Sequence, residues 1–300
     1  MRSRWLSATL AAAALIVGIP PPASAGGPAP IAFTRDGDLF TYRLGGTVHR
    51  LTETPAREHT PAWAPGHGRL AFMTWQRRIG VVDLGTGTRR SIARLPDRFD
   101  CNQALAWSPD GTRIAVAANN WFEWRGYWRL SGTVWIVGAD GSGLTRIVTG
   151  QGMVTGLGWT PDGRRLFAST EWPNGVELWN PDAKLGVITF KDDGSHVRFV
   201  SETLASQLDV ADDGTHIAYR GWSRTCHACG EIWRMATDGT DVRVIAMPPE
   251  GIYGLHLPRF SPEGTRIAML ASARRSSMWL MRPDGSHRHR VLTNVGAIDW

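Results

Sequence analysis

A repeat of about fifty residues runs through most of this 300-residue chain and constrains its fold more than any other feature. Each unit has an apolar anchor, a Pro-Asp-Gly-type turn, an alternating apolar run and a second Asp-Gly-type turn. The anchors are Trp63, Trp107, Trp159, Val210 and Phe260. They lie 44, 52, 51 and 50 residues apart. Four short antiparallel strands fit in such a unit, which is the size of one β-propeller blade.

The local sequence within each unit predicts where its strands begin and end. Strand A ends at the anchor, and a turn such as Asp110-Gly111 follows, in which Asp supplies a capping side chain and Gly a positive φ. Strand B alternates apolar residues, as at Ile114 and Val116. Strand C is expected to carry a second aromatic residue in four units: Trp135, Trp179, Trp233 and Trp279. With 34 Gly, 18 Pro and 15 Trp, the composition favours an all-β fold over a helical bundle.

The two ends of the repeat region complement each other. Residues 297–300 read as a strand A that stops at its anchor, Trp300, whereas residues 31–52 read as strands B, C and D without an A. Joined, they make a sixth blade. We therefore predict an all-β, six-bladed propeller whose ring is closed by a blade shared between the N- and C-terminal segments, which removes free sheet edges.

The sequence motifs of the repeat resemble those of a known family. WSPDGT at 107–112, RIA at 113–115, VWIV at 134–137 and ADGSG at 139–143 resemble the TolB-like group of six-bladed propellers, distant relatives of WD40-like repeats. The resemblance covers about residues 31–300. Blade 2 departs from it with Pro-Gly-His-Gly in its turn, and blade 5 with Val210 as its anchor. TolB-like proteins dock other proteins in the cell envelope, so the resemblance implies protein binding there.

The N-terminal segment has the pattern of a Sec-type signal peptide. A basic start precedes an apolar run over residues 8–19 and a small-residue triplet at 23–25. That run of 12 residues is too short for a ~30 Å hydrocarbon core. We predict a signal peptide over residues 1–25, a short linker over 26–30 and a single propeller domain over 31–300. The mature protein is then exported to the periplasm or medium, does not span the membrane, and has no partner domain before the propeller.

Charge and motifs exclude several function classes. The net charge of +6 includes Arg2 and Arg4 of the predicted signal peptide, and the chain has no block of Lys and Arg, so nucleic acid is not an expected partner. The sequence contains no phosphate-binding loop, no H-E-x-x-H, no EF-hand loop and no G-x-S-x-G. We expect a monomer that is not an enzyme and that uses no cofactor or metal.

Six tryptophans fall outside the repeat: Trp75, Trp121, Trp124, Trp128, Trp172 and Trp222. All six lie at or in predicted B–C loops, which share one face of a propeller with the D–A loops. The longest of these loops, residues 119–129, concentrates aromatic residues and Arg, as binding hot spots do. The ligand-binding candidates are Trp75, Trp121, Phe122, Trp124, Arg125, Tyr127, Trp128, Arg129, Trp172 and Trp222. The alternative is a lid formed by mutual packing of these side chains.

Polar residues four positions before the anchors are expected at the mouth of the central tunnel. They are His59, Gln103, Thr155, Ser206 and His256, with Gly296 in the sixth blade. Two imidazoles could bind a metal or act as acid and base, but no Asp or Glu shares their register. A water-filled polar mouth is the simpler interpretation.

The three cysteines fit an oxidising compartment. Cys226 and Cys229 form a C-x-x-C in the blade 5 B–C loop, where a local disulfide is the first expectation for an exported chain. A lone C-x-x-C is a weak zinc signal. Cys101 has no assigned partner.

Together these observations predict an exported, non-enzymatic binding or scaffold propeller. It would recognise an envelope or extracellular protein or glycan through its B–C/D–A face. The alternative is a lyase or hydrolase that acts on polysaccharide with His59 and His256 at the tunnel mouth.

Overall fold

A computed structural model describes residues 28–96, 101–124, 127–171, 177–178, 185–222 and 230–300. Six antiparallel sheets of four strands form the blades of a propeller, each ordered A to D from the channel outward. The fold class predicted from the repeat is thus confirmed. Within this described part, no helix has the length and apolar character that crossing a membrane requires.

The strands follow the chain blade by blade. Blade 1 takes β1 (Ile31–Arg35), β2 (Asp38–Tyr42) and β3 (Val48–Arg50). Blade 2 contains β4 (Glu58–Trp63), β5 (Arg69–Thr74), β6 (Arg78–Asp83) and β7 (Arg89–Arg94). Blade 3 contains β8 (Cys101–Trp107), β9 (Arg113–Trp124), β10 (Tyr127–Gly138) and β11 (Thr145–Gln151).

Blade 4 is interrupted by one short extra strand. It contains β12 (Met153–Trp159), β13 (Arg165–Glu171), β15 (Gly186–Lys191) and β16 (Arg198–Ser201), while β14 (Glu177–Leu178) pairs with β10 of blade 3. Blade 5 contains β17 (Ala205–Val210), β18 (His216–Trp222), β19 (Gly230–Ala236) and β20 (Arg243–Ala246). Blade 6 contains β21 (Gly254–Phe260), β22 (Ile267–Ser272), β23 (Ser277–Met281) and β24 (His289–Thr293), and β25 (Ile298–Asp299) returns to blade 1.

The strand A anchors pack the blades against one another. All six, including Val210 and Trp300, are only 6–9% exposed. The Trp107 indole donates a hydrogen bond to the Ala62 carbonyl of blade 2 (2.9 Å), and the Trp159 indole donates to the Ala106 carbonyl of blade 3 (3.1 Å). Each of these anchors therefore fills apolar space between blades and fixes the spacing to the preceding blade.

The Asp-Gly turns are structural. In the A–B turn of blade 3, the Asp110 carboxylate accepts hydrogen bonds from the Ser108 hydroxyl (2.5 Å) and from the Thr112 amide (3.0 Å), and Gly111 has φ of 66°. These bonds lower the pKa of Asp110 to about 2. The carboxylate is engaged by its own turn, so the repetition of Asp-Gly reflects the repetition of hairpins rather than calcium loops.

Two predicted elements of blades 3 and 4 were wrong. The stretch around Trp179 is not strand C of blade 4: β14 lies there and runs parallel to β10, while Trp179 itself lies outside the described residues. Strand C is β15, where Ile188, fully buried, takes the position that Trp135 has in blade 3. An aliphatic side chain fills this inter-blade space, so an aromatic residue is not required there.

The predicted loop over residues 119–129 is a β-hairpin. Strands β9 and β10 have twelve residues each and remain paired from Arg113↔Gly138 to Tyr127↔Trp124. The concentration of aromatic residues that suggested a loop platform is compatible with strands, in which aromatic residues are enriched. This hairpin extends blade 3 on the B–C side.

Blade 1 closes the ring as predicted. Strand β25 pairs with β1 through Ala32↔Asp299 and Phe33↔Ile298, and two further backbone hydrogen bonds join Thr34 to residues 296 and 297. Trp300 follows directly and donates its indole hydrogen bond to the Ala29 carbonyl (3.0 Å). The chain segment that enters the ring and the segment that completes it are thus locked together.

Deleting residues 297–300 is expected to open the ring. The edge of β1 becomes free and Arg259 of blade 6 loses the carboxylate of Asp299, a kind of loss that costs about 3–5 kcal/mol when the pair is buried. We expect a much lower melting temperature and aggregation, measured by calorimetry and light scattering. Asp299→Asn, which keeps the strand, should lose less stability. An unchanged melting temperature of the deletion variant would contradict the role of this closure.

Candidate functional site

The central channel is lined by the residues that precede the six anchors. In ring order from blade 1 they are Asp299, Ala62, Ala106, Gly158, Asp209 and Arg259. With the prolines of the A–B turns and the anchors other than Phe260, they surround a cavity of about 280 Å³ near the A–B end. Blades 5, 6 and 1 contribute charged groups to the channel, while blades 2, 3 and 4 contribute no side chain larger than a methyl group at this level.

An ion pair joins blades 1 and 6 across the closure. Arg259, itself buried, directs Nε to Oδ1 of Asp299 (3.1 Å), and Oδ2 of Asp299 accepts a hydrogen bond from the Trp63 amide of blade 2 (2.6 Å). Asp299 keeps some accessible surface because it faces the cavity, but protein surrounds it on all sides. Burial raises its pKa to about 6, outweighing Arg259 and the Trp63 hydrogen bond, which both favour the charged form.

Asp209 is an acid of the channel for which the described residues provide no ion pair. Its carboxylate accepts a hydrogen bond from the Phe260 amide (2.8 Å), and among the described residues no cationic nitrogen lies within ion-pair distance of it. Burial raises the pKa of Asp209 to about 7, although the more distant charge of Arg259 lowers it and that of Asp299 raises it. Because burial disfavours its charged form, ionisation of Asp209 lowers the free energy of unfolding.

The charged channel wall was missed by the sequence analysis. That analysis followed the residues four positions before the anchors, where no acid occurs, and not the residues one position before them. The signal was present, because the strand A sequence SQLDV ends in Asp209-Val210, HLPRF ends in Arg259-Phe260 and AIDW ends in Asp299-Trp300. Three charged residues directly beside apolar anchors in strands near a propeller axis predict a polar channel lining.

The residues predicted at the tunnel mouth have different environments. Thr155 and Ser206 are buried and hydrogen-bonded: the Thr155 hydroxyl lies 3.1 Å from the Ser169 hydroxyl, and the Ser206 hydroxyl donates to the Arg220 carbonyl (3.5 Å). Gln103 lies in β8, and its side chain is outside the described part of the structure. Thr155 and Ser206 therefore stabilise the inner strands.

The two histidines lack an acidic partner in contact. Nδ1 of His59 lies 2.9 Å from the Thr60 hydroxyl, and the His59 ring meets Trp75 edge-on with 6.3 Å between ring centroids. Burial lowers the pKa of His59; burial, assisted by the charge of Arg220, lowers the pKa of His256 to about 4. Both imidazoles are neutral at pH 7, and no carboxylate among the described residues forms an ion pair or hydrogen bond with either.

Bulges in strand A separate the two levels of the channel. The pairing register of strand A with strand B shifts between His59 and Ala62 in blade 2, and at the equivalent place in blades 5 and 6. At these three shifts Thr60, Gln207 and Leu257 have φ of 51°, 55° and 47° respectively. Gln207 is held by neighbouring blades, since its side-chain oxygen accepts from the Leu257 amide (3.1 Å). These left-handed residues fix the mouth residues at a level apart from the charged wall.

The candidate ligand-binding tryptophans are exposed where their side chains are described. Trp75 in the B–C turn of blade 2 is 71% exposed, and Trp222 at the end of β18 is 39% exposed. Trp222 also lines an open groove of about 690 Å³ with Leu204 and Trp233. Trp121, Phe122, Trp124, Tyr127, Trp128 and Arg129 lie in the β9–β10 hairpin, but their side chains, like Arg125 and Trp172 as a whole, fall outside the described residues.

The predicted disulfide also lies outside that description. Residues 223–229, which include Cys226 and Cys229, are not described, and Cys101 is described only as part of β8. The pairing stays a prediction. Within the described ranges, no group of three or more His, Cys, Asp or Glu is arranged to hold a metal ion.

Comparisons with known proteins identify the fold. No family model matches the chain. An uncharacterised protein of Agrobacterium fabrum is 23% identical over 234 residues, which is 78% of this chain and 72% of that protein. The crystal structure of TolB from Acinetobacter baumannii has a TM-score of 0.69 at 18% identity and covers 94% of this chain and 67% of its own.

An enzyme has a similar propeller. An oligogalacturonate lyase in complex with manganese has a TM-score of 0.58 at 16% identity, covering 87% of this chain and 75% of its own. Identities this low speak for the fold alone. The chain is a TolB-like six-bladed β-propeller, and a fold of this kind occurs in both binding proteins and enzymes.

Replacing Asp209 is expected to change the pH dependence of stability. Because folding raises the pKa of Asp209 from its usual 3.8 to about 7, its contribution is most favourable below pH 4 and is lost as the pH rises through 7. Asp209→Asn keeps an oxygen that can accept from the Phe260 amide but cannot ionise. We expect its melting temperature to exceed that of the wild type at pH 8 and to match it near pH 4.

The matched control is Asp213→Asn. Hydrogen bonds from the Thr215 amide and hydroxyl lower the pKa of Asp213, so its stabilising contribution is present at pH 8 and is lost as the pH falls below 4. This variant should lower the melting temperature at pH 8, the opposite sign to Asp209→Asn. If Asp209→Asn also lowers it at pH 8, the ionised carboxylate stabilises the channel and our account of Asp209 is wrong.

Proposed function

We propose that this protein is an exported, non-enzymatic binding propeller that recognises a protein or glycan of the cell envelope or exterior through its B–C/D–A face. The observation that carries the proposal is the exposure of Trp75 and Trp222 on that face. Every anchor tryptophan of the described blades is buried, so these two side chains make no comparable contribution to blade packing. Large exposed aromatic side chains mark interaction sites.

The surroundings of Trp222 support this proposal. Leu204, in the D–A segment before blade 5, is exposed and lines the same groove as Trp222. Trp233 also lines the groove and stacks on Tyr219 with 6.4 Å between ring centroids. Glu202 and Thr203 line the same groove, so it offers both apolar and polar groups that a partner can bury.

Export is supported by two independent features. Residues 1–25 carry the basic start, apolar run and small-residue triplet of a signal peptide. The fold is that of the TolB structure described above. We infer that the mature protein begins at Gly26 and works outside the cytoplasm as a monomer.

The enzymatic alternative has one observation in its favour and one against it. A structural neighbour is an oligogalacturonate lyase that holds manganese. In this chain, however, His59 and His256 have no contacting carboxylate among the described residues, and His256 lies beside the charge of Arg220, which opposes binding of a cation. Metal analysis of the purified protein discriminates: a stoichiometric transition metal would favour the enzyme.

Replacing Trp75 and Trp222 together by Ala is expected to separate binding from folding. The double variant should keep its melting temperature within a few degrees and bind at least tenfold more weakly, about 1.4 kcal/mol, to the ligand that the wild type selects on a glycan array or from an envelope extract. Affinity is measured by biolayer interferometry with the selected ligand.

Trp107→Ala provides the contrast. Its side chain is buried and bonded to Ala62, so the cavity should cost about 3–5 kcal/mol of stability. Should the Trp75 and Trp222 double variant lose stability to a similar extent, these residues have a structural role. Should it bind as tightly as the wild type, the binding surface lies elsewhere.

A further inference from the structure

One carboxylate oxygen in the cavity at the A–B end of the channel has no partner. Asp209 lines this cavity, and its Oδ2 accepts a hydrogen bond from the Phe260 amide (2.8 Å). Its Oδ1 forms neither a hydrogen bond nor an ion pair with a described residue. Burial raises the pKa of Asp209 to about 7, so the carboxylate is largely ionised at pH 8. An ionised carboxylate in these surroundings is stabilised by a cation that enters the cavity.

Arg259 offers an unused donor to the same cavity. It is among the lining residues although only 8% of its surface is exposed. Its Nε contacts Oδ1 of Asp299 (3.1 Å) and its Nη1 donates to the Pro258 carbonyl (2.9 Å), whereas Nη2 has no acceptor among the described residues. Because an unpaired donor of a buried charged group is unfavourable, a ligand oxygen that accepts from Nη2 would stabilise this arrangement.

The two unused groups lie close to each other without touching. Asp209 belongs to blade 5 and Arg259 to blade 6. No nitrogen of Arg259 comes within ion-pair distance of the Asp209 carboxylate, yet the charge of Arg259 acts on Asp209 and lowers its pKa against the larger effect of burial. A ligand that carries a cationic donor beside an acceptor can therefore bridge the two blades.

The other polar groups of the wall determine which ligand charge is favoured. Asp299, which is paired with Arg259, and Asp212 also line the cavity. His67 lines it as well and is neutral at pH 7, because burial lowers its pKa. Three acids thus surround one guanidinium. The cavity repels an anionic ligand and attracts an ammonium group, while the acceptor of the ligand has to be uncharged.

The size and the apolar lining of the cavity favour a small molecule. Its volume of about 280 Å³ falls just below the range of ~300–1,000 Å³ that is usual for ligand pockets. Large rings form much of the remaining wall: Trp63, Trp107, Trp159, Trp300, Pro65, Pro109, Pro161 and Pro262. A compact carbon skeleton can pack against these rings while its polar atoms reach blades 5 and 6.

We propose that the cavity at the A–B end binds a small amino alcohol, with its ammonium group on Oδ1 of Asp209 and its hydroxyl oxygen accepting a hydrogen bond from Nη2 of Arg259. A hydroxyl group suits this place because it accepts without adding negative charge. The amino alcohol unit can come from an amino sugar or from an open-chain molecule. This site lies at the opposite end of the channel from the B–C/D–A face, so it goes beyond the proposed function.

Three matched probes test the two contacts separately. The probe trans-2-aminocyclohexanol carries both groups, cyclohexylamine lacks the hydroxyl and cyclohexanol lacks the ammonium. Isothermal titration calorimetry on the mature protein at pH 8 measures their affinities. We expect the amino alcohol to bind, cyclohexylamine to bind at least about threefold more weakly and cyclohexanol not to bind measurably. Glucosamine and ethanolamine are then compared, and the tighter of the two identifies the source of the amino alcohol.

Variants connect binding to the cavity. Asp209→Asn should weaken binding of the amino alcohol at least about tenfold at pH 8, because it removes the charge that attracts the ammonium. Asp213→Asn is the matched control: it also removes an acid of blade 5, but Asp213 does not line the cavity, so the affinity should stay within about twofold. Ala106→Leu leaves every charge in place and fills the cavity from blade 3, so it should abolish binding.

The pH dependence gives a further readout. Wild-type affinity should fall at least about tenfold between pH 8 and pH 5, because Asp209 becomes protonated while the ligand keeps its ammonium charge. In Asp209→Asn this decrease should be much smaller. The comparison is made within each variant, so it remains informative if one variant differs from the wild type in stability.

Several results would overturn the inference. These are no binding of the amino alcohol, equal affinities for the amino alcohol and cyclohexanol, or an affinity that Asp209→Asn leaves unchanged. Equal affinities for the amino alcohol and cyclohexylamine would overturn the role of Arg259. The proposed function is tested independently, because the Trp75 and Trp222 double variant changes the other face and should bind the amino alcohol as the wild type does.

Discussion

The propeller depends on the two-residue strand β25 and on the carboxylate of Asp299 within it. Through its backbone, Asp299 pairs with Ala32 of the first strand. Its side chain simultaneously contacts Arg259 of blade 6 and the Trp63 amide of blade 2. A single residue of blade 1 thereby contacts both neighbouring blades. Since every other blade packs only against its two neighbours, these contacts convert an open row of sheets into a ring.

The strand A position of Asp299 carries small residues on one side of the channel and charged residues on the other. Ala62, Ala106 and Gly158 keep three inner strands close to the axis, and Gly158 has Val210 of the next blade where a Cβ would lie. The opposite strands carry Asp209, Arg259 and Asp299. The net charge of that wall is negative when both acids are ionised, and the raised pKa values of Asp209 and Asp299 show how strongly burial opposes this state. A protein that keeps such groups loses stability at neutral pH.

The repeat predicted the fold because anchor spacing and turn chemistry are local signals. Six blades, buried strand A anchors and the blade shared by both ends could all be derived from residues such as Trp107, Asp110 and Trp300. Strand C of blade 4 could not be predicted in this way. Its residue at the inter-blade position, Ile188, is an ordinary aliphatic residue, whereas the sequence around Trp179 matches the strand C pattern of the other units. Strand assignment there depends on pairing between distant segments, which no local pattern encodes.

The site was less predictable than the fold. Exposed aromatic residues outside the repeat, such as Trp75 and Trp222, were found by elimination of the repeat positions. The charged wall of Asp209, Arg259 and Asp299 was not, because the prediction followed a different position of strand A. Bulges at Thr60, Gln207 and Leu257 also shift the inner strands by amounts that a count of residues before the anchor does not reveal.

The short strand β14 has a consequence for how the B–C ends of blades 3 and 4 are held together. By pairing in parallel with Arg129 and Leu130 of the long hairpin, it joins a crossing segment of blade 4 to the projecting part of blade 3. Backbone pairing thereby ties Glu177 and Leu178 to the hairpin of blade 3. For a ligand that contacted both strands, the conformational entropy already lost in this pairing would not be lost again on binding.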